Sequence, residues 1–188
     1  MSVWNVGAII GSLSKDSINR RLFHALNTIA SDADLVLHEI SIADLTAYNR
    51  DFDADYPPAG RAFKTAVEAS DALMIVTPEY NRSIPGVLKN ALDWGSRPWG
   101  TNSFAGKPSA VIGTSTGPLG TAIAQQHLRS VLSFLGAPEL GQPEAYIRTT
   151  PGLFTDDGQI TDDSTAEFLL TWLKAFHAHI SRNLSEVS

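Results

Sequence analysis

The chain has 188 residues, 43% hydrophobic and 18% charged, with a net charge of −6 and no cysteine. That length and apolar share suit one packed α/β domain spanning residues 1–188 and exclude a disordered chain. The acidic balance argues against nucleic acid and anionic membranes as partners, and the missing cysteines exclude disulfides, thiolate nucleophiles and thiolate-held metal.

The first residues lack a basic start and a long apolar stretch, so no signal peptide is expected. No apolar run reaches the ~18 residues of a membrane span, and a soluble, cytoplasmic protein is the expectation. Residues 3–10 form a short apolar run ending at Gly11, the pattern of a buried parallel strand. A helix is predicted over 17–30, where Ile18, Leu22, Ala25, Leu26 and Ile29 recur at helical spacing. A second strand over 34–40 precedes a long polar loop, 42–58, and a helix over 61–70.

Residues 72–77 (ALMIVT) are apolar nearly throughout, as a central strand covered on both faces requires. A helix over 85–94 follows, with Pro85 in its first turn. The remaining predictions are a strand over 109–113, a helix over 121–134, a short strand over 145–147 and a long amphipathic helix over 165–184. A short frayed tail is expected from about Ser185.

Alternation of this kind implies a parallel sheet with right-handed crossovers and helices on both faces. Such sheets bind ligands beyond the carboxyl ends of their strands, where the strand order reverses. That rule selects the loops after Ile10, Thr77 and Gly113, and all three are rich in Gly, Ser, Thr, Asn or Pro.

In the first, Gly11 permits a close turn, Ser12, Ser14 and Ser17 offer hydroxyls, and Asn19 offers an amide at a helix start. A phosphate monoester needs such converging donors, and the dipole of the helix N-terminus adds to them. A serine N-cap ahead of an ordinary helix explains Ser17 equally well. The loop fits neither the dinucleotide fingerprint nor the P-loop. In the second, two prolines stiffen the segment, and Tyr80 and Asn81 offer an aromatic face and an amide to a planar ring. An ordinary proline-bracketed connector has the same composition.

Residues 78–81 (Pro-Glu-Tyr-Asn) and 83–94 (SIPGVLKNALDW) strongly resemble the signature of the NADPH-dependent FMN reductase family, which includes quinone, azo-dye and chromate reductases. Gly11-Ser12 with Ser17 and Asn19 resembles its phosphate site, and residues 113–120 its second flavin-contacting turn. The resemblance implies a flavodoxin-like three-layer sandwich, with five parallel strands in the order 2-1-3-4-5. It implies bound FMN, NADPH or NADH as donor, ping-pong turnover with a small acceptor, and a homodimer or homotetramer.

By the same resemblance, Ser12, Ser14, Lys15, Ser17, Ile18 and Asn19 hold the FMN phosphate. Pro78, Glu79, Tyr80 and Asn81 line the isoalloxazine, and Ser115 and Gly117 border it from the other side. Lys89, Asn90 and Asp93 fix the geometry of the loop and helix, with Trp94 beneath them or at a subunit contact. Many relatives carry an arginine where this chain has Ser14, and Lys15 is then the source of positive charge. Many carry a tyrosine where this chain has Arg82, which borders the expected substrate mouth; a cross-interface pair with Glu144 is one reading, a solvated arginine the other. Residues 97–104, with Trp99 and Phe104 exposed, are expected interface material.

Hydride transfer between nicotinamide and flavin needs no protein nucleophile, so no catalytic residue is assigned. His177 and His179 lie two apart on a helix and do not share a face as metal ligands would, and Asp156-Asp157-Gly158 does not match an EF-hand, so no metal is expected. A flavodoxin-like electron carrier without its own NAD(P)H activity is the alternative. A phosphoacceptor receiver domain is disfavoured by Gly11-Ser12 and Thr77-Pro78, which stand where its acidic residues belong.

Overall fold

The computed structural model describes residues 2–185. Ten main elements alternate along it: β1 (Trp4–Ile10), α1 (Ile18–Ile29), β2 (Leu35–Glu39), α2 (Pro58–Ala69), β3 (Ala72–Val76), α3 (Gly86–Ser96), β4 (Ser109–Ser115), α4 (Ala122–Phe134), β5 (Tyr146–Arg148) and α5 (Asp163–Ser185). The strands pair in parallel throughout, in the order β2-β1-β3-β4-β5. This is the flavodoxin-like arrangement, and its order reverses between β1 and β3.

Strand periodicity assigns each side chain to one of two cores. Val6, Ala8 and Ile10 of β1, with Ala72, Met74 and Val76 of β3, pack under α1 and α5. Ile9, Leu73 and Ile75 point the other way, against Phe63 of α2, Leu88 and Leu92 of α3 and Leu128 of α4. A strand buried on both faces has no polar face to show, which is why these runs read as continuous apolar sequence.

Element ends shift by up to three residues from the sequence expectation, and one expected exposure is overturned. Helix α2 begins at Pro58 rather than at 61, with proline at its first position, where a missing N–H costs nothing. Phe104 is fully buried, not exposed, because Gly95 leaves its ring a slot; a Cβ at Gly95 would lie 2.5 Å from that ring. Trp99 is 78% exposed, as expected. Ser185 still belongs to α5, and the rest of the expected tail, residues 186–188, lies outside the described residues.

The polar loop after β2 is more ordered than its composition suggests. It folds onto Trp94, which is 1% exposed and therefore lies beneath the loop rather than at a subunit contact. The rings of Tyr48, Tyr56 and Phe52 lie 5.3, 4.9 and 6.1 Å from the Trp94 ring. Trp94 Nε1 donates to Thr46 O at 2.7 Å, and Asn90 grips the same stretch, accepting from Tyr48 N and donating to Thr46 O. Asn90 and Trp94 thus fix the loop geometry, while Lys89 and Asp93 form an i,i+4 pair on the exposed face of α3.

Candidate functional site

The three selected loops converge at the carboxyl edge of β1, β3 and β4. Gly11 N donates to Val76 O at 2.9 Å, which holds the end of β1 beside β3. Ser12 is 3% exposed, and its Oγ accepts from Ser14 N at 3.4 Å. Ser17 is the N-cap of α1: its backbone is extended and its Oγ accepts from Arg20 N at 3.3 Å. The amides of Ile18 and Asn19 open the first turn, where helix geometry supplies no intrahelical acceptor. Hydroxyl and amide donors, with the positive end of the helix dipole behind them, are the chemistry that suits an anion.

Asn19 plays a part that its position did not foretell. Its side chain is 1% exposed; Nδ2 donates to Thr114 O at 3.0 Å and Oδ1 accepts from Thr114 N at 2.9 Å. Both ends of the amide tie α1 to β4, which commits the side-chain oxygen and one of its two N–H groups to the fold.

The second loop is a tight reversal. Tyr80 N and Ser83 N donate to each other's carbonyl oxygens, and Asn81 and Arg82 both take positive φ, 51° and 64°. Two left-handed residues between a mutually bonded pair make a primed hairpin turn, for which asparagine is well suited and arginine is not. Tyr80 is 51% exposed and presents its ring at the rim. Ser83 Oγ lies 3.0 Å from His127 Nδ1 of α4.

Glu79, expected to line the ring, also has a long-range task. Its Oε2 accepts from Ile123 N and Ala124 N at 3.0 and 3.1 Å, capping the start of α4. Its Oε1 lies 3.5 Å from Arg82 Nη1, so within the chain the arginine turns to Glu79 and not to Glu144, which accepts from Gln126. Arg82 itself is 67% exposed.

In β4, leading into the third loop, Gly113 is required by proximity: a Cβ there would lie 2.1 Å from Thr77 O. Ser115 Oγ accepts from Gly117 N at 3.1 Å and shapes the turn.

A cleft of about 250 Å³ lies among these loops. Ser12, Ser14, Ser17, Ile18 and Asn19 line it from the first loop, Pro78, Glu79 and Tyr80 from the second, and Ser115 from the third. Lys15, Asn81, Arg82 and Gly117 stand outside this lining, on the loops that form it. Asp16, Thr114 and Thr116 join the lining without having been singled out in the sequence. Thr116 sits between two residues that were, so loop membership was the available signal. Groups with shifted titration lie elsewhere: burial lowers the Lys64 and Lys107 ammonium groups and raises the Tyr56 phenol. Among the described residues no group of three or more metal-ligating side chains comes together.

Known proteins share this architecture. The sequence matches the NADPH-dependent FMN reductase family over residues 4–152. It is 46% identical over 175 residues to a 2-hydroxy-1,4-benzoquinone reductase of Burkholderia sp., covering 93% of this chain and 95% of that protein. It is 41% identical over 182 residues to a quinone reductase of Pseudomonas putida, covering 96% and 97%. The solved structure of FerB, a flavoenzyme NAD(P)H:(acceptor) oxidoreductase from Paracoccus denitrificans, superposes with a TM-score of 0.92 at 44% identity, covering 96% of this chain and 99% of that one. With three loops converging on one cleft at the switch point and a family match across the same residues, the chain belongs to the NADPH-dependent FMN reductase family.

Proposed function

We propose that this protein binds FMN across the three loops, as a single domain of residues 1–188, and uses NADPH or NADH to reduce small acceptors, quinones foremost. The observation that carries the reading is the cleft itself. At one end it offers hydroxyls and unpaired helix amides for a phosphate, and at the other a stiff turn and an aromatic rim for a flat ring. Relatives named quinone reductases support the choice of acceptor.

Ser12, Ser14 and Ser17, with the amides of Ile18 and Asn19, would hold the phosphate, and Lys15 adds a positive charge nearby. Pro78, Glu79, Tyr80 and Asn81 orient the ring from one side, and Ser115 and Gly117 border it from the other. When bound, FMN supplies the hydride chemistry, taking two electrons from the nicotinamide and passing them on. The chain's own work is orientation and exclusion of water, so it needs no nucleophile. Donor and acceptor use the open face in turn, a ping-pong order, and Arg82 at the mouth meets the acceptor.

A homo-oligomer is part of the reading, supported by Trp99 and Phe134, both nearly four-fifths exposed around a shared apolar hollow. The cytoplasm is the proposed location; none of the described helices is long and apolar enough to cross a membrane. The deciding experiment is a visible spectrum after incubation with FMN and desalting, followed by anaerobic NADPH. Retained flavin that bleaches supports the reductase. Retained flavin that bleaches with neither NADPH nor NADH supports the electron carrier, and no retained flavin overturns both.

A further inference from the structure

Beside the cofactor cleft lies a second hollow of about 220 Å³, whose lining shares only Ile18 with the site residues singled out in the sequence. Arg21 of α1, Thr116 of the third loop, and Thr149 and Thr150 just past β5 give it a polar side; Ile18 and Pro151 give it an apolar one. Ile18 and Thr116 line both cavities, so a ligand lying over those two residues reaches each of them.

The lining contains no acidic residue, although the chain as a whole carries −6. Arg21 Nε is paired with Asp156 Oδ1 at 2.9 Å, but the Asp156 side chain is 89% exposed, and a pair so open to water is weak. Thr149 Oγ1 reaches Thr150 O only at 3.5 Å, and among the described residues the Thr116 and Thr150 hydroxyls meet no protein partner. A guanidinium fork flanked by free hydroxyls is suited to a phosphate group, and the apolar side to the face of a flat base.

We propose that this hollow is a subsite for a phosphate of the nicotinamide donor's adenosine half, with Arg21 as its main ligand. The inference rests on the reductase reading above. The first loop already accounts for a flavin phosphate, and quinone acceptors carry none. The donor alone must lay further phosphates on an acidic protein, and this hollow, with Arg21 in its lining, is continuous with the cofactor cleft through Ile18 and Thr116.

The test uses the FMN-loaded protein, with ADP and adenosine 2′,5′-bisphosphate titrated by calorimetry and KM measured for NADPH and NADH. Arg21→Ala is expected to weaken probe binding and raise donor KM about tenfold, while FMN stays bound. Losses confined to the bisphosphate and NADPH assign the 2′-phosphate; equal losses with ADP and NADH assign the pyrophosphate. Asp156→Asn, which removes the competing carboxylate, is expected to tighten the probes about two- to threefold. Wild type that binds neither probe, or probe affinities and KM values within twofold in both variants, overturns the subsite and leaves the reductase standing. Wild type that retains no flavin overturns the reductase reading and the subsite with it.

Discussion

Among the five loops that leave the carboxyl end of the sheet, the one after β2 differs in kind from those after β1, β3 and β4. The loop after β2 spends its polar groups on itself and on α3. Thr46 O takes two donors, Tyr48 N has Asn90, and the hydroxyls of Tyr48 and Tyr56 reach Asp53 Oδ1 and Trp94 O. The other three cap helices and brace strands but leave amides and hydroxyls facing a common space. Order alone does not distinguish a binding loop from a structural one. The distinction lies in where the backbone and side-chain hydrogen-bonding capacity is directed.

Substitutions can break that contrast. The largest effect is expected from Trp94→Ala, which removes the ring that Tyr48, Phe52 and Tyr56 pack on; it should cost about 3–5 kcal/mol in urea denaturation. FMN affinity of the folded fraction should stay within about twofold, and a large loss would mean that the two kinds of loop are coupled. Glu79→Ala, which uncaps α4 and frees Arg82, should cost about 1–2 kcal/mol and weaken FMN as well, since Glu79 belongs to both tasks.

Ser12→Ala should show the opposite profile. It is expected to raise the Kd for FMN about tenfold, equivalent to ~1.4 kcal/mol, with stability changed by less than about 0.5 kcal/mol. Equal damage to stability would make Ser12 structural.

The smallest effect belongs to a cap remote from both. Ser164 and Thr165 hydrogen bonds to the Asp162 carboxylate hold its pKa below the ordinary 3.8. A depressed carboxylate contributes stability above that value and loses it as the pH falls through the folded-state pKa. Asp162→Ala should therefore lower Tm slightly at pH 7, and the gap from wild type should close in scans below about pH 4.

Local pattern made the sheet legible. Strands covered on both faces announce themselves as apolar runs, and 72–77 located β3 within a residue. The convergence of the three loops was legible through topology, since the doubly wound order places the ends of β1, β3 and β4 side by side. What escaped were partnerships across long sequence separations. Asn19 meets Thr114 at a distance of 95 residues, and Glu79 meets α4 at 44 and 45. Composition reports that such a side chain can bond, but not which backbone will arrive opposite it. Phe104 escaped for the same reason, because its slot is cut by Gly95 on a different element.

The Asn19 clamp has a consequence for ligand choice. Two hydrogen bonds between one side chain and one residue of β4 set the gauge between the start of α1 and the third loop through contacts within the protein alone. Less ordering is then left to oppose association. A fixed gauge also works as a ruler: a flavin whose anionic tail is the wrong length for that span can satisfy one end of the cleft or the other, but not both.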